Sequence, residues 1–401
     1  MLQVQTLVAA VCFIFWGIFG ASQSNAEEDP PKAAESTKIE PELTYRSAFM
    51  ARRYRSAFFD TKKDTNYVDQ LYLSFLFARQ YDYRHEVVLE PSIRTQRNRP
   101  KSPLETVIEQ GYVRLQVAKD TQIVTGKKTE YEGSGFMVSP SDLLNEKKDI
   151  FDAQYQREGK FFTKILRRFG SHSLGVGYIP SRGQENSYGR AWLLASSDIG
   201  ETDLRLQFTN QRRELNTYGL SVARFMGDMF EFHFDGRYQQ RQRHLEDDVP
   251  VDSPEAHSSY KFKDASGYYL GGSRIVLTPR RSVILEGIQN QSGLLPDDFK
   301  AYYAEIRKKD DPGDPESRLI GRRYAFFSYQ DDDSVAGLHI GLSHLTNIND
   351  LSTFFSGQLR FYLSPITSIE ISQTTFTGGV DTEFGEMPFG STSYLVFRGR
   401  F

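Results

Sequence analysis

The sequence predicts an all-β, antiparallel transmembrane β-barrel of about 18 strands, with about 16 as the alternative. Three observations predict it. Apolar and polar side chains alternate over many short stretches. Tight turns and long polar links follow one another in turn. Beyond the N-terminal segment, no uncharged apolar run is long enough for a spanning helix. Composition fits: 39% of the 401 residues are hydrophobic, yet 30 are Phe and 22 Tyr. Mean hydropathy is −0.51, which excludes a bundle of transmembrane helices. A large soluble β-protein has a similar composition, so patterning has to decide. The net charge of −3, with 49 basic and 52 acidic residues interspersed, argues against a nucleic-acid partner.

From the N-terminus, LVAAVCFIFWGIF at 7–19 is apolar and too short for a comfortable span. Ser24-Asn25-Ala26 places small residues where a signal peptidase cuts, so 1–26 reads as a cleaved signal peptide. No Lys or Arg precedes the apolar core, which keeps an uncleaved anchor as the other reading. The single cysteine, Cys12, lies in this segment, leaving the mature chain without disulfide or thiolate chemistry. Residues 27–42 are charged and Pro/Ala-rich and read as a disordered periplasmic leader, ahead of a barrel over 43–401.

About seventeen strands can be marked from Asp69 onward. An even number is needed when both termini are periplasmic, so one more is expected within Leu43–Phe58. YRSAF occurs there twice, and a helix or plug over 43–66 stays open. The clearest alternation is MFEFHFDGRYQ, with Phe230, Phe232, Phe234 and Tyr238 against Glu231, His233, Asp235 and Arg237. GYVRLQVA, DLRLQFTN and STFFSGQLRFYL repeat the pattern. Tight turns are expected at 119–121, 169–170, 198–201, 226–228, 278–281, 331–333 and 364–367, on the periplasmic side. Long extracellular links are expected at 129–158, 240–265 and 292–321.

With the apolar face on lipid, the other face becomes the wall of a lumen. Its arginines are Arg94, Arg114, Arg205, Arg237, Arg274, Arg360, Arg398 and Arg400, and its acids Glu90, Glu231, Asp235, Glu286 and Glu370. Arginine's planar, always-charged fork suits carboxylate or phosphate groups. The plainer reading is that these charges pair across neighbouring strands and keep the wall wet.

The link over 129–158 contains Phe136, Met137, Val138, Leu143 and Leu144, which need burial. It is therefore expected to fold into the barrel mouth as a constriction loop, or else to offer an outward patch for oligomer contact. Gly133 and Gly135 would let it turn sharply, and Ser141 or Asp142 would cap a short helix through Leu144.

Two stretches carry a family resemblance. Gly126-Lys127-Lys128, Gly133-Ser134-Gly135, Pro140-Ser141-Asp142-Leu143-Leu144-Asn145 and Glu158-Gly159 resemble a group of porin-like bacterial outer-membrane β-barrel proteins. That group carries G-[KR], W-G-x-G, P-x-D-x-L-N and E-G in this order. Here Glu132 stands where the tryptophan is usual, and Glu146 where a proline is. The looser likeness covers about residues 110 to 240. Most of the group has no defined substrate, so the likeness implies architecture and location. SYLVFRGRF at the end resembles the C-terminal signal read by the bacterial barrel-assembly machinery, with Leu395, Phe397 and Phe401 at its apolar positions.

No HExxH, G-x-S-x-G, Walker loop or dinucleotide fingerprint is present, and no enzyme, metal or cofactor role is expected. The acid clusters at 310–316 and 331–333 lack EF-hand spacing. The sequence thus points to a channel in the Gram-negative outer membrane for small hydrophilic solutes, leaning towards anions. The expected partners are lipid, lipopolysaccharide and the assembly machinery, and the oligomeric state is left open. A closed structural or surface-interaction barrel, or an exporter of acidic polysaccharide, are the alternatives.

Overall fold

In the computed structural model the described residues are 40–54, 65–82, 85–96, 104–130, 132–143, 159–180, 189–211, 216–240, 242–245, 260–263, 265–306, 319–387 and 389–400. The expected signal peptide, most of the expected leader, 144–158, 310–316 and Phe401 lie outside them.

The strands are β1 (Glu40–Tyr54), β2 (Thr65–Asp82), β3 (His85–Gln96), β4 (Leu104–Ala118), β5 (Thr121–Lys128), β6 (Lys160–Phe169), β7 (His172–Ile179), β8 (Arg190–Ile199), β9 (Thr202–Gln211) and β10 (Thr217–Met226). After β11 (Phe230–Gln239), a small hairpin of β12 (Gln242–Leu245) and β13 (Tyr260–Lys263) leads to β14 (Ser266–Thr278) and β15 (Arg281–Asn290). Helix α1 (Pro296–Ile306) precedes β16 (Arg323–Val335), β17 (Leu338–Asn347), β18 (Thr353–Ser364), β19 (Thr367–Thr377) and β20 (Phe389–Arg400). β1 and β2 are described by backbone and register alone. No helix among the described residues is long and apolar enough to cross a membrane.

Eighteen of the strands form one antiparallel sheet, in which each large strand pairs with its neighbours in sequence. β1 pairs with β2 on one side and β20 on the other, so the sheet closes on itself. The first YRSAF copy, at 45–49, therefore lies in a strand that starts ahead of the expected span, while 55–64 lies outside the described residues. Closure leaves no sheet edge unpaired, which a bilayer interior demands.

Connections segregate by length. Turns of two or three residues follow β4, β6, β8, β10, β14, β16 and β18, all at one end. Gly170, Gly200, Gly227 and Gly337 take positive φ in four of them, a conformation that costs glycine little. The turn expected at 331–333 falls instead at 336–337. Arg281 pairs with Asp331 and His339 with Asp332, and these contacts let β16 run on to Val335.

Side chains alternate about the wall. On β11, Phe230, Phe232, Phe234 and Tyr238 are exposed, while Glu231, His233 and Asp235 are buried. Eight residue steps separate Phe230 from Tyr238, about 20 Å of height at the usual strand tilt. That is close to the thickness of an outer-membrane apolar band. The buried face is the inside of the ring. On the β14–β19 side it carries an apolar core of Leu270, Ile284, Tyr324, Phe326, Leu345 and Phe376. Three long connections add to it: Met137, then Leu319, then Phe384 with Met387.

Candidate channel wall and constriction

Alternation puts the charged residues inside, and register decides whom they meet. Arg114 on β4 pairs with Glu86 on β3 at 3.1 Å. Arg205 on β9 pairs with Asp203 at 2.7 Å and lies 4.0 Å from Glu132. Arg274 on β14 stands 3.9 Å from Glu231 on β11. Arg360 and Arg398 both reach Glu370 Oε2 at 2.9 Å, from β18 and β20 on either side of β19. Glu90 accepts from Gln110 Nε2 at 3.0 Å. Arg94 and Arg400 are placed by backbone, opposite Glu105 and Thr44 respectively. The expected arginine wall is therefore largely neutralised at these positions.

Arg237 differs. Its guanidinium lies over the Tyr268 ring, 5.7 Å from the centroid, and within electrostatic reach of Arg190. No carboxylate stands at ion-pair distance from it among the described residues. Arg190 and Tyr268 escaped the sequence reading. Arg190 opens its strand, where alternation has barely begun, and Tyr268 is an aromatic on the polar face.

Residues 129–130 and 132–143 lie against the inner wall. Glu130 takes hydrogen bonds from Lys164 and, at 2.9 Å, from Lys128. Burial alone would raise the Glu130 carboxyl, but the Lys164 ammonium outweighs it and holds it below the usual range. Burial pushes Glu132 up to about 7, because Lys164 and Arg205 each have a nearer carboxylate. Lys164 was missed because β6 places Phe162 and Leu166 on the same inward face, which blurs the alternation.

Beyond Glu132, Asp235 on β11 accepts from Ser134 N at 2.9 Å, Ser139 Oγ at 3.2 Å and Ser141 N at 2.5 Å. Glu286 on β15 accepts from Phe136 N at 2.7 Å and Met137 N at 3.0 Å. Gly133 and Gly135 serve closeness rather than a sharp turn, since neither has positive φ. A Cβ on Gly133 would stand 2.6 Å from Asp235 Oδ2, and one on Gly135 would meet the Val138 carbonyl. Ser139–Asp142 form a turn, closed by Asp142 N donating to Ser139 O at 3.1 Å; Asp142 and Leu143 are not helical, and the expected helix from Leu144 on lies outside the described residues. Leu143 is buried and Phe136 exposed.

A second inward connection follows β19. Glu383 is buried and accepts from Tyr324 Oη at 2.8 Å, Asn347 Nδ2 at 2.7 Å and Ile320 N at 2.9 Å. Burial pushes its carboxyl up to about 7 against those hydrogen bonds. Nothing in TEFGEMPFG marks it out beforehand. In the terminal strand Phe397 is exposed on the outer face and Leu395 partly so, while Tyr394 and Val396 are buried.

No family model matches the sequence, and no curated protein does either. Solved structures do match. OccAB1 of Acinetobacter baumannii superposes with a TM-score of 0.61 at 10% identity, over 94% of this chain and 99% of that one. A BenF-like porin from Pseudomonas fluorescens Pf-5 gives 0.62 at 7% identity, over 91% and 98%. OccK2 (OpdF) of Pseudomonas aeruginosa, in complex with glucuronate, gives 0.58 at 10% identity, over 92% and 99%. At such identities the likeness is one of fold alone: this chain shares the closed antiparallel β-barrel of these solved structures.

Proposed function

We propose that the protein is an outer-membrane channel for passive passage of small hydrophilic solutes, leaning towards anions. The observation that carries this is the closed ring itself, apolar outside and charged inside, with 132–143 drawn onto its inner wall as a constriction. A wall built for rigidity alone has little use for Arg237 within electrostatic reach of Arg190 and with no carboxylate at ion-pair distance from it among the described residues. One protein of like fold holds glucuronate, an anionic sugar, and the same chemistry fits this pair. The short-turn end faces the periplasm in this reading, with 1–26 removed on export, and the last strand is the segment presented to the assembly machinery. The partners are lipid, lipopolysaccharide and the solute; no catalytic role is proposed.

One observation favours a closed barrel instead. The apolar core on the β14–β19 side fills part of the interior with side chains from three connections. Single-channel conductance of the purified protein under a KCl gradient separates the two. Stable steps with an anion-selective reversal potential, reduced in Arg237→Ala, support the channel and its anion preference. Silence from a folded barrel sinks the channel and leaves the closed reading standing.

A further inference from the structure

Asp235 and Glu286 are wall carboxylates held differently from Glu370. Glu370 holds two arginines, whereas neither of these carboxylates has a Lys or Arg at ion-pair distance among the described residues. Their partners are backbone N–H groups of one loop, with the Ser139 hydroxyl added for Asp235 and His233 Nε2, at 3.0 Å, for Glu286. Ionised acceptors holding N–H donors make strong, directional contacts.

The two carboxylates divide the work. Asp235 binds Ser134 and Ser141 with its two oxygens, so it ties the ends of the loop together. Glu286 binds Phe136 and Met137, the tip. His233 and Glu286 sit on strands either side of β14, level with Gly272. A Cβ there would stand 2.6 Å from His233 Nε2 and 2.8 Å from Glu286 Cγ, so the missing side chain is what lets the pair meet. The docked tip leaves the Phe136 ring edge-on to His233 at 5.3 Å and beneath the Arg274 guanidinium at 5.7 Å.

We infer that Asp235 and Glu286 are positioning residues for the constriction: Asp235 shapes the loop, and Glu286, through the Gly272 gap, docks its tip so that Phe136 covers Arg274. The bore and ion preference of the channel are then set by two carboxylates that a passing solute need not touch. The inference about bore rests on the channel reading above; the inference about docking does not.

The test has two readouts. The first is labelling of Val138→Cys by a membrane-impermeant maleimide, in a chain carrying Cys12→Ser. Glu286→Gln and Asp235→Asn should each speed labelling about ten-fold, the loss of one hydrogen bond to a charged acceptor. The second is single-channel conductance of Glu286→Gln, Phe136→Ala and the double variant. Glu286→Gln should raise conductance, and should add nothing further once Phe136 is already Ala. If Glu286→Gln gives no folded band, Glu286→Asp, which keeps the charge but withdraws it by one methylene, replaces it in both readouts. Unchanged labelling, or conductance effects of Phe136 and Glu286 that simply multiply, overturns the proposal. If the unaltered protein passes no current the channel reading falls, and the labelling rates alone decide whether Glu286 docks the tip.

Discussion

Single residues hold this wall in two ways, by charge sharing and by absent side chains. Glu370 binds Arg360 and Arg398 at once, so Glu370→Gln replaces the carboxylate they share with a neutral amide. We expect it to cost about 1–3 kcal/mol, seen as a lower guanidinium chloride midpoint in lipid vesicles, with Arg360→Gln costing less. Gly126 has φ 125 and packs on the partner strand, where a Cβ would lie 2.6 Å from the Tyr112 Cα. Gly126→Ala should therefore destabilise by about 1–3 kcal/mol. Gly170→Asn, at φ 61 with open space around it, should fall within about 0.5 kcal/mol of the parent by the same measurement. The inward and outward sides of these residues were legible from the sequence, since strand side chains alternate strictly. Their partners were not. Period-two patterning leaves register free by even steps, and it is register that sets Glu370 beside both arginines.

Elements show the same division. Phe136 and Met137 announced that their connection had to be buried, because an exposed link gains nothing from such side chains. The groups that receive it lie 94 and 150 residues away, on strands that read like any others. The connection after β19 carries the same signal in Phe384 and Met387, but nothing in the pattern marks its anchoring carboxylate, Glu383. That anchor makes docking depend on pH. Burial in the docked connection pushes the Glu383 carboxyl up to about 7, above the usual carboxylate range. A raised carboxyl contributes stability that is complete below the undocked value and lost as pH rises through the docked one. Hydrogen-exchange protection of 378–387, corrected for intrinsic rates, should thus be highest near pH 4 and decline as pH rises through about 7. A profile of Glu383→Gln should be flat over that range; a parent profile that rises instead would contradict the assignment.

At the scale of the molecule, closure dominates. A closed sheet resists detergent until heated, so the extracted protein should run as a compact band that shifts on boiling. Deleting 40–54 leaves β2 and β20 each with an unpaired edge, and that shiftable band should disappear. The strand number was legible, because turns and long links could be counted and both termini had to fall at one end. The partly filled interior was not, since it depends on loops meeting one another inside the ring. One consequence of β1 lying beside β20 remains. Thr44 is level with Arg400 at the short-turn end, so the hydrogen-bonded ring has no first strand and no last. Such a ring tolerates being opened elsewhere. A circular permutant that joins Arg400 to Glu40 through a short flexible linker, and starts anew at the exposed Gly200 turn, should assemble to the same heat-shiftable band.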